Sequence, residues 1–212
     1  MENKIALVFG ASGKTGQQIC KKLNESVVRN FAFVRKGSEE KIESKKTEFI
    51  FGNVLNLNDI EQAIKAHQFT DVVIALGSRD LKKSFIRSTG TRNIVEVLNK
   101  LSIKYKIHVI SALGVRESWS QVNWIGKLIC KLFISSTMKD HGLQEDIVVN
   151  SSQKFHIIRP VGLTDGVETG KILNKTEGFM PSNIIARADV AKYLVDSMLA
   201  DKNGFSSICK ST

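Results

Sequence analysis

Residues 4–16 read Lys-Ile-Ala-Leu-Val-Phe-Gly-Ala-Ser-Gly-Lys-Thr-Gly, an apolar run that breaks into a glycine-rich turn. The apolar run predicts a strand that is buried on both faces of a parallel sheet. After the turn, Ile19, Cys20 and Leu23 continue with helical spacing. The stretch therefore predicts a strand, a glycine turn and a helix.

The glycine turn is suited to a diphosphate group. Gly10 permits a tight turn, Gly13 leaves the backbone open to the phosphates, and Gly16 lets the helix lie close to the strand. The helix N-terminus adds free N–H donors and the positive end of the helix dipole. The cofactor-binding residues expected in this turn are Gly10, Ser12, Gly13, Lys14, Thr15 and Gly16.

A Gly-Lys-Thr sequence also occurs in the phosphate loop of nucleotide triphosphatases. That loop requires a glycine at the position that Val8 occupies here, so the spacing excludes a triphosphatase. The Gly-x-x-Gly-x-x-Gly spacing instead favours dinucleotide binding, with a purely structural glycine turn as the alternative.

Composition indicates an ordinary globular protein. At 212 residues, with 42% hydrophobic and 25% charged residues, the chain suits a single domain over residues 1–212. The formal charge of +10 favours anionic partners, or else a solvated basic surface. Because the lysines are spread along the chain without a basic block, we expect no nucleic-acid partner.

Cysteines and histidines show no pattern of a disulfide framework or of a metal site. Cys20, Cys130 and Cys209 are an odd number at remote spacings, and the four histidines are scattered, so no metal is predicted. No apolar run reaches the roughly 18 residues of a membrane span, and the N-terminal run reads as a strand rather than a signal peptide. We therefore expect a cytoplasmic protein with no transmembrane segment.

Strands and helices alternate along the chain. Strands are predicted at Asn30–Val34, Glu48–Gly52, Asp71–Ala75, Ile107–Ile110, Phe155–Ile158 and Ser206–Cys209, and helices at Asn58–Lys65, around Ile94–Leu101, and at Arg187–Leu199. This order predicts an α/β fold, a doubly wound and mostly parallel Rossmann sheet with helices on both faces. Loops after about residue 111 and the C-terminal part are expected to form the substrate pocket.

The second strand ends in Arg35 and Lys36 rather than in an acidic residue. A carboxylate at this point would bind the adenosine ribose of NAD, whereas cations can pair with the 2′-phosphate of NADP. Two solvated cations in a basic protein are the simpler alternative. The position of Arg35, directly after the strand, favours NADP.

Further candidate residues follow the carboxyl ends of the other strands, where ligands bind in open α/β sheets. Asn53 and Val54 are expected beside adenine, where many proteins of this fold have Asp-Val and where an amide can still hydrogen-bond. Leu76, Gly77, Ser78 and Arg79, then Ser111 and Ala112, and finally Pro160 and Val161 complete the predicted cofactor site. Ser111 is the catalytic candidate, although a serine after a strand is commonly only a turn residue.

Seven motifs in register resemble those of the atypical short-chain dehydrogenase/reductases of the NAD(P)H-binding (NmrA-like) group. They are Gly10–Gly16, Val34-Arg35, Leu76–Arg79, Thr91–Val95, Ile110–Ala112, Arg159-Pro160 and Arg187–Ala191. Within the group, their order and spacing are similar to those of flavin reductases that also reduce biliverdin. The resemblance implies NADPH bound by the glycine turn and Arg35, with Leu76, Gly77, Arg79 and Ser111 around the ribose and nicotinamide. It also implies an open pocket for flavins or linear tetrapyrroles.

The proton donor of typical short-chain dehydrogenases is missing. Those enzymes place a Tyr and a Lys four residues apart on one helix face, but Tyr105 and Tyr193 are followed at that distance by Val109 and Ser197. Lys139 and His141, near the expected helix position, are interpreted as surface residues. A reductase of a conjugated acceptor, such as a flavin, tetrapyrrole or quinone, tolerates this loss. The alternative is a non-catalytic NADPH-binding sensor or assembly protein.

Residues 119–134 are unusually apolar, with both tryptophans and seven other large apolar residues, and with Lys127 and Lys131 at helical spacing. The pattern predicts a helix between the fifth and sixth strands, which is a core helix in the simplest interpretation. It also suits a pocket lid, a protein contact or a peripheral membrane contact. The variant Trp124→Ala distinguishes these interpretations, because it lowers the stability of the protein strongly only if the tryptophan is buried in the core.

Overall fold

The computed structural model describes residues 4–43, 46–78 and 85–211. The strands are β1 (Ile5–Phe9), β2 (Arg29–Val34), β3 (Glu48–Phe51), β4 (Asp71–Ile74), β5 (Lys106–Ile110), β6 (Lys154–Pro160), β7 (Gly162–Thr164), β8 (Ile172–Lys175), β9 (Ile184–Ala186) and β10 (Gly204–Lys210). Within the described residues, eight of them form one sheet in the order β3-β2-β1-β4-β5-β6-β10-β8, while β7 pairs with β9. All neighbours are parallel except β8, which runs antiparallel to β10.

Helices cover both faces of the sheet. They are α1 (Lys14–Asn24), α2 (Leu57–Lys65), α3 (Ile86–Lys100), α4 (Trp124–Phe133), α5 (Ser135–Val149) and α6 (Arg187–Leu199). One apolar core joins the sheet to α1 and α6 through residues such as Ile19 and Leu194, and a second joins it to α2, α3 and α5 through residues such as Ile60, Leu98 and Val148. The predicted doubly wound Rossmann fold is confirmed.

Most predicted elements differ from the observed ones only at their ends. The sixth strand extends beyond Phe155–Ile158 to Pro160, whose carbonyl still accepts a hydrogen bond from the Leu113 N–H at 2.8 Å. Helix α2 is capped by Asn56, whose side chain accepts from the N–H groups of Asn58 and Asp59. Beyond Pro160, the predicted loops also contain the short strands β7, β8 and β9.

The apolar segment 119–134 is not one continuous helix. Arg116–Gln121 forms a 3₁₀ turn, and α4 begins only at Trp124, because the Asn123 side chain accepts a hydrogen bond from the Gly126 N–H at 2.9 Å and caps the helix. The predicted single helix is therefore wrong at its N-terminal third.

Strand β1 is the point from which the chain winds outward in both directions. It pairs with β2 on one side and with β4 on the other. At such a switch point the connecting loops diverge and leave a crevice at the carboxyl ends of the strands. The glycine turn after β1 and the loop after β4 form the two sides of this crevice.

Candidate functional site

The outer glycines of the turn are required by the packing of the protein itself. Gly10 has φ +81°, and a Cβ atom there would lie 2.5 Å from the Ala75 carbonyl oxygen, at the end of β4. A Cβ on Gly16 would lie 2.2 Å from the Gly10 carbonyl oxygen, so α1 can approach β1 only with a glycine at this position.

Gly13 differs from the other two glycines. Its backbone is extended (φ −74°, ψ 156°), and within the described part of the chain a Cβ there would meet only the Gly10 carbonyl oxygen, at 3.3 Å. The protein leaves this exposed position nearly open, and among the described residues no side chain caps the N-terminus of α1. A backbone cradle that a side chain would fill, beside uncapped helix N–H groups, fits a diphosphate.

Other residues of the turn are held in place by local bonds. The Gln17 side chain donates to the Ser12 carbonyl at 2.9 Å, and the Gly13 N–H donates to the Gly10 carbonyl at 3.0 Å. Lys14 is largely exposed, and its ammonium lies 2.6 Å from Asp165, while Thr15 is half-buried. The carboxylate of Asp165 also contacts Arg187, the first residue of α6.

Arg35 and Lys36 lie in a tight turn at the end of β2. The Ser38 N–H donates to the Arg35 carbonyl at 2.9 Å, and Gly37 supplies the φ of +80° that the turn requires. Both cationic side chains are exposed, and within the described part of the chain neither forms an ion pair. They are therefore available to an external anion.

Val54 and Leu76 form an apolar surface between the turn after β3 and the loop after β4. Both pack against α3, where a Cβ on Gly90 would lie 2.6 Å from Leu76 and 3.0 Å from Val54. Asn53 is exposed, and its side-chain oxygen accepts from the Leu55 N–H at 3.0 Å, which leaves the amide NH₂ to donate to a ligand. This combination suits a flat base lying over apolar side chains.

Arg87 is a further residue beside the candidate cofactor site, and the sequence pattern did not indicate it. Gly77 is exposed beside β4, and a Cβ there would lie 3.7 Å from the Arg87 guanidinium. Burial lowers the pKa of Arg87, while the charge of Asp140 opposes that shift. Asp140 also accepts from the Ser88 N–H at 2.9 Å, so a carboxylate of α5 caps α3. Ser78 is half-buried, and Arg79 lies outside the described residues.

Ser111 follows β5 directly and is 4% exposed. Its N–H donates to the Ile158 carbonyl at 2.8 Å, which continues the pairing with β6, and its hydroxyl donates to Glu145 Oε1 at 2.5 Å. Both oxygens of Glu145 also accept from Arg159, at 2.9 and 2.7 Å. Burial lowers the pKa of Arg159, but its hydrogen bonds to Glu145 and Glu117 outweigh burial and raise the pKa overall.

The remaining predicted residues lie at the same sheet edge. Ala112 is half-buried after Ser111, Pro160 ends β6, and Val161 is buried before β7. The crevice thus brings the loops after β1, β4, β5 and β6 together at one edge of the sheet.

His141 corrects one interpretation of the sequence. Lys139 is exposed as predicted, but His141, on α5, is only 7% exposed. Burial, together with the charge of Arg87, lowers the pKa of His141 to about 3. The imidazole is therefore neutral at physiological pH.

The apolar helix α4 presents part of its surface to solvent. Trp124 is 75% exposed and Leu128 is 51% exposed, so the core interpretation is wrong for these two residues. Val122, just before the helix, is buried. Among the described residues, no helix is long and apolar enough to cross a membrane, and no group of His, Cys, Asp or Glu side chains is placed to hold a metal ion.

A family model described as NAD(P)H-binding matches residues 10–201. The chain belongs to this NAD(P)H-binding family. The match begins at the first glycine of the turn and extends through α6. The sequence-based assignment to the NAD(P)H-binding group is thus confirmed. An uncharacterised chloroplast protein of Arabidopsis thaliana is 25% identical to this NAD(P)H-binding chain, over 98% of the chain and 76% of that protein.

Solved structures share the fold of this NAD(P)H-binding chain along its whole length. ChuY, an anaerobilin reductase of Escherichia coli O157:H7, superposes with a TM-score of 0.81 at 20% identity, covering 98% of this chain and 97% of ChuY. A short-chain dehydrogenase/reductase of Veillonella parvula in complex with NADP gives 0.79 at 16% identity, covering 98% and 94%. A putative NADH-flavin reductase of Streptococcus pneumoniae gives 0.74 at 18% identity, covering 99% and 100%.

Proposed function

We propose that the chain is an NADPH-dependent reductase that transfers hydride to a conjugated acceptor, such as a flavin or a linear tetrapyrrole. The observation that carries the proposal is the hydrogen bond from the Ser111 hydroxyl to the buried Glu145, at the sheet edge that the glycine turn shares. A hydroxyl that donates to a carboxylate does not donate to a substrate carbonyl.

The tyrosines cannot supply the missing proton. Tyr105 precedes β5 and so lies at the opposite end of the sheet, and the hydroxyl of Tyr193, on α6, donates to Ser206 at 2.9 Å. His141, on α5, is buried and neutral. Among the described residues, neither these tyrosines nor His141 therefore offers an acid to a simple ketone at this edge, whereas a flavin or tetrapyrrole spreads the incoming negative charge over conjugated rings and takes its proton later from water.

Different residues of the crevice would bind different parts of the cofactor. The uncapped N-terminus of α1 and Gly13 would hold the diphosphate, Val54 and Leu76 would support the adenine, and Arg35 with Lys36 would pair with the 2′-phosphate. NADPH, when bound, supplies the hydride. Alignment of its ring with that of the acceptor then provides most of the rate enhancement.

Two of the solved structures support the choice of acceptor class, since one is an anaerobilin reductase and another a putative NADH-flavin reductase. The Veillonella parvula structure, which holds NADP, supports the phosphorylated cofactor. We further propose that the protein acts in the cytoplasm as one domain and that the exposed part of α4 contacts the acceptor, a protein or a membrane surface.

The decisive experiment follows NADPH oxidation at 340 nm with FMN, riboflavin, biliverdin or a quinone, and separately with simple aldehydes and ketones. We expect turnover only with the conjugated acceptors. Gly13→Val serves as the control, because its branched side chain fills the phosphate cradle and should abolish cofactor binding. Efficient ketone reduction would contradict the mechanism. Tight NADPH binding without turnover of any acceptor would instead support the redox sensor.

A further inference from the structure

The hydroxyl proton of Ser111 already takes part in a hydrogen bond within the protein. A serine hydroxyl has one proton to donate and two lone pairs that can accept. The proton goes to Glu145 Oε1 at 2.5 Å, and among the described residues no group donates to the Ser111 oxygen. The oxygen therefore retains its capacity to accept.

Glu145 is held so that it can only accept from Ser111. Arg159 donates to both carboxylate oxygens, in the two-pronged geometry that an ionised carboxylate favours. Arg159 is itself fixed on its other side by Glu117, at 2.6 Å. Ser111, Glu145 and Arg159 are each at most 4% exposed, so water does not compete for these bonds.

Ser111 lies at the carboxyl end of β5, at the edge of the sheet that borders the crevice. Its neighbour Ile110 packs in the core beneath α1 and α6, and alternation along the strand places the Ser111 side chain on the opposite face, towards α5. Ser111 is also the first residue after β5, at the edge where the loops after β1 and β4 meet.

We propose that Glu145 is a positioning residue, which holds Ser111 as a hydrogen-bond acceptor for the carboxamide N–H of the nicotinamide. The proposal rests on the proposed function, since it requires the nicotinamide to lie at the end of β5. The Glu145–Arg159 pair thereby orients the cofactor ring and keeps the hydroxyl proton of Ser111 away from the acceptor. Without the Glu145–Arg159 pair, the hydroxyl of Ser111 is no longer held in this orientation.

The test compares the binding of NADPH with that of its reduced 3-acetylpyridine analogue, in which a methyl group replaces the carboxamide NH₂. Dissociation constants come from calorimetric titration, so no turnover is required. The wild-type protein should bind NADPH about fivefold more tightly than the analogue, which is the effect of one hydrogen bond. Ser111→Ala should bring the two constants to within about twofold of each other.

Variants of Glu145 show whether this residue positions Ser111 or only stabilises the fold. Glu145→Ala should also remove the preference although Ser111 is present. Because that variant removes the buried carboxylate that pairs with Arg159 and can fail to fold, the double variant Glu145→Leu/Arg159→Met replaces the ion pair by apolar side chains. It should fold, as checked by thermal melting, and should also lose the preference. Gln144→Leu is the matched control, since Gln144 is equally buried on α5 but bonds to Thr91, and it should retain the preference.

Each outcome has a distinct meaning. A preference retained in the folded double variant, or absent from the wild-type protein, would overturn the role of Glu145. An intact preference without flavin or tetrapyrrole turnover would leave that role standing and would contradict only the proposed reductase. Absence of any NADPH binding would contradict both.

Discussion

Gly16→Ala is expected to destabilise the fold, although alanine is the better helix former. Its Cβ would lie 2.2 Å from the Gly10 carbonyl oxygen and 2.7 Å from the Ala11 Cα, whereas ordinary contacts begin at 3.4 Å. Helix α1 would therefore have to move away from β1 by more than 1 Å. Overpacking of this kind costs about 1–3 kcal/mol or more, and the helix propensity of alanine returns about 1 kcal/mol.

Because the atoms that the Cβ meets are backbone atoms, the cost lies at the upper end of this range, and we expect a net loss of about 2 kcal/mol. Such a loss lowers the Tm by roughly 4–8 °C in a domain of this size. Gly13→Ala is the matched comparison, because its Cβ meets only one atom, at 3.3 Å, and its backbone already suits an alanine. It should melt within about 2 °C of the wild-type protein yet bind NADPH at least tenfold more weakly, since its methyl group enters the phosphate cradle.

Thermal melting and calorimetric titration of the two variants test whether Gly16 is required for packing and Gly13 for cofactor binding. A Gly16→Ala protein that melts like the wild type would show that α1 is not packed as described. A Gly13→Ala protein that binds NADPH normally would remove the diphosphate from this turn.

Three further predictions follow from the exposed cations, from α4 and from the buried histidines. Arg35→Ala should weaken NADPH binding by about 1.5–3 kcal/mol and leave NADH binding nearly unchanged in calorimetric titrations, because only NADPH has the 2′-phosphate; equal losses would exclude the pairing. Trp124→Ala should change the free energy of unfolding by less than about 1 kcal/mol, since Trp124 is 75% exposed, against about 3–5 kcal/mol for a core tryptophan. Burial lowers the pKa of His156 from 6.5 to about 4 and that of His141 to about 3. The unfolded chain therefore binds protons more readily, and stability present above pH 6.5 should fall as the pH drops towards 4, by about 3 kcal/mol for His156. Urea melts should show a shallower pH dependence in His156→Gln, and an unchanged slope would refute this assignment.

Local patterns were sufficient to predict the strand, the glycine turn and the helix of the first βα unit. The glycine spacing identified the close approach at Gly16, because the atoms that a Cβ there would meet belong to Gly10 and Ala11, only a few positions away. Helix α6 was predicted with its observed bounds, Arg187–Leu199, for the same reason. The continuous apolar strands likewise indicated a parallel sheet with two covered faces.

The polar half of the site could not be predicted in this way. Ser111 and Glu145 are 34 positions apart, and Asp140 and Ser88 are 52 apart, so their bonds depend on how α5 packs against the sheet and α3. A carboxylate on an amphipathic helix has the same sequence signature whether it faces solvent or a buried arginine. The exposure of Trp124 is equally invisible in composition, since it depends on which face of α4 meets its neighbours.

The ion pair between Lys14 and Asp165 changes what a positive charge in the glycine turn contributes to anion binding. Lys14 is already neutralised by a carboxylate, which it shares with Arg187. A phosphate that reaches Lys14 must displace Asp165 or share the cation with it, so the binding event exchanges one charge pair for another. Because these groups are exposed and screened, the net gain from the exchange is small. Added salt loosens the existing pair and the incoming one alike, so Lys14 contributes less to the ionic-strength dependence of cofactor affinity than its charge alone would indicate.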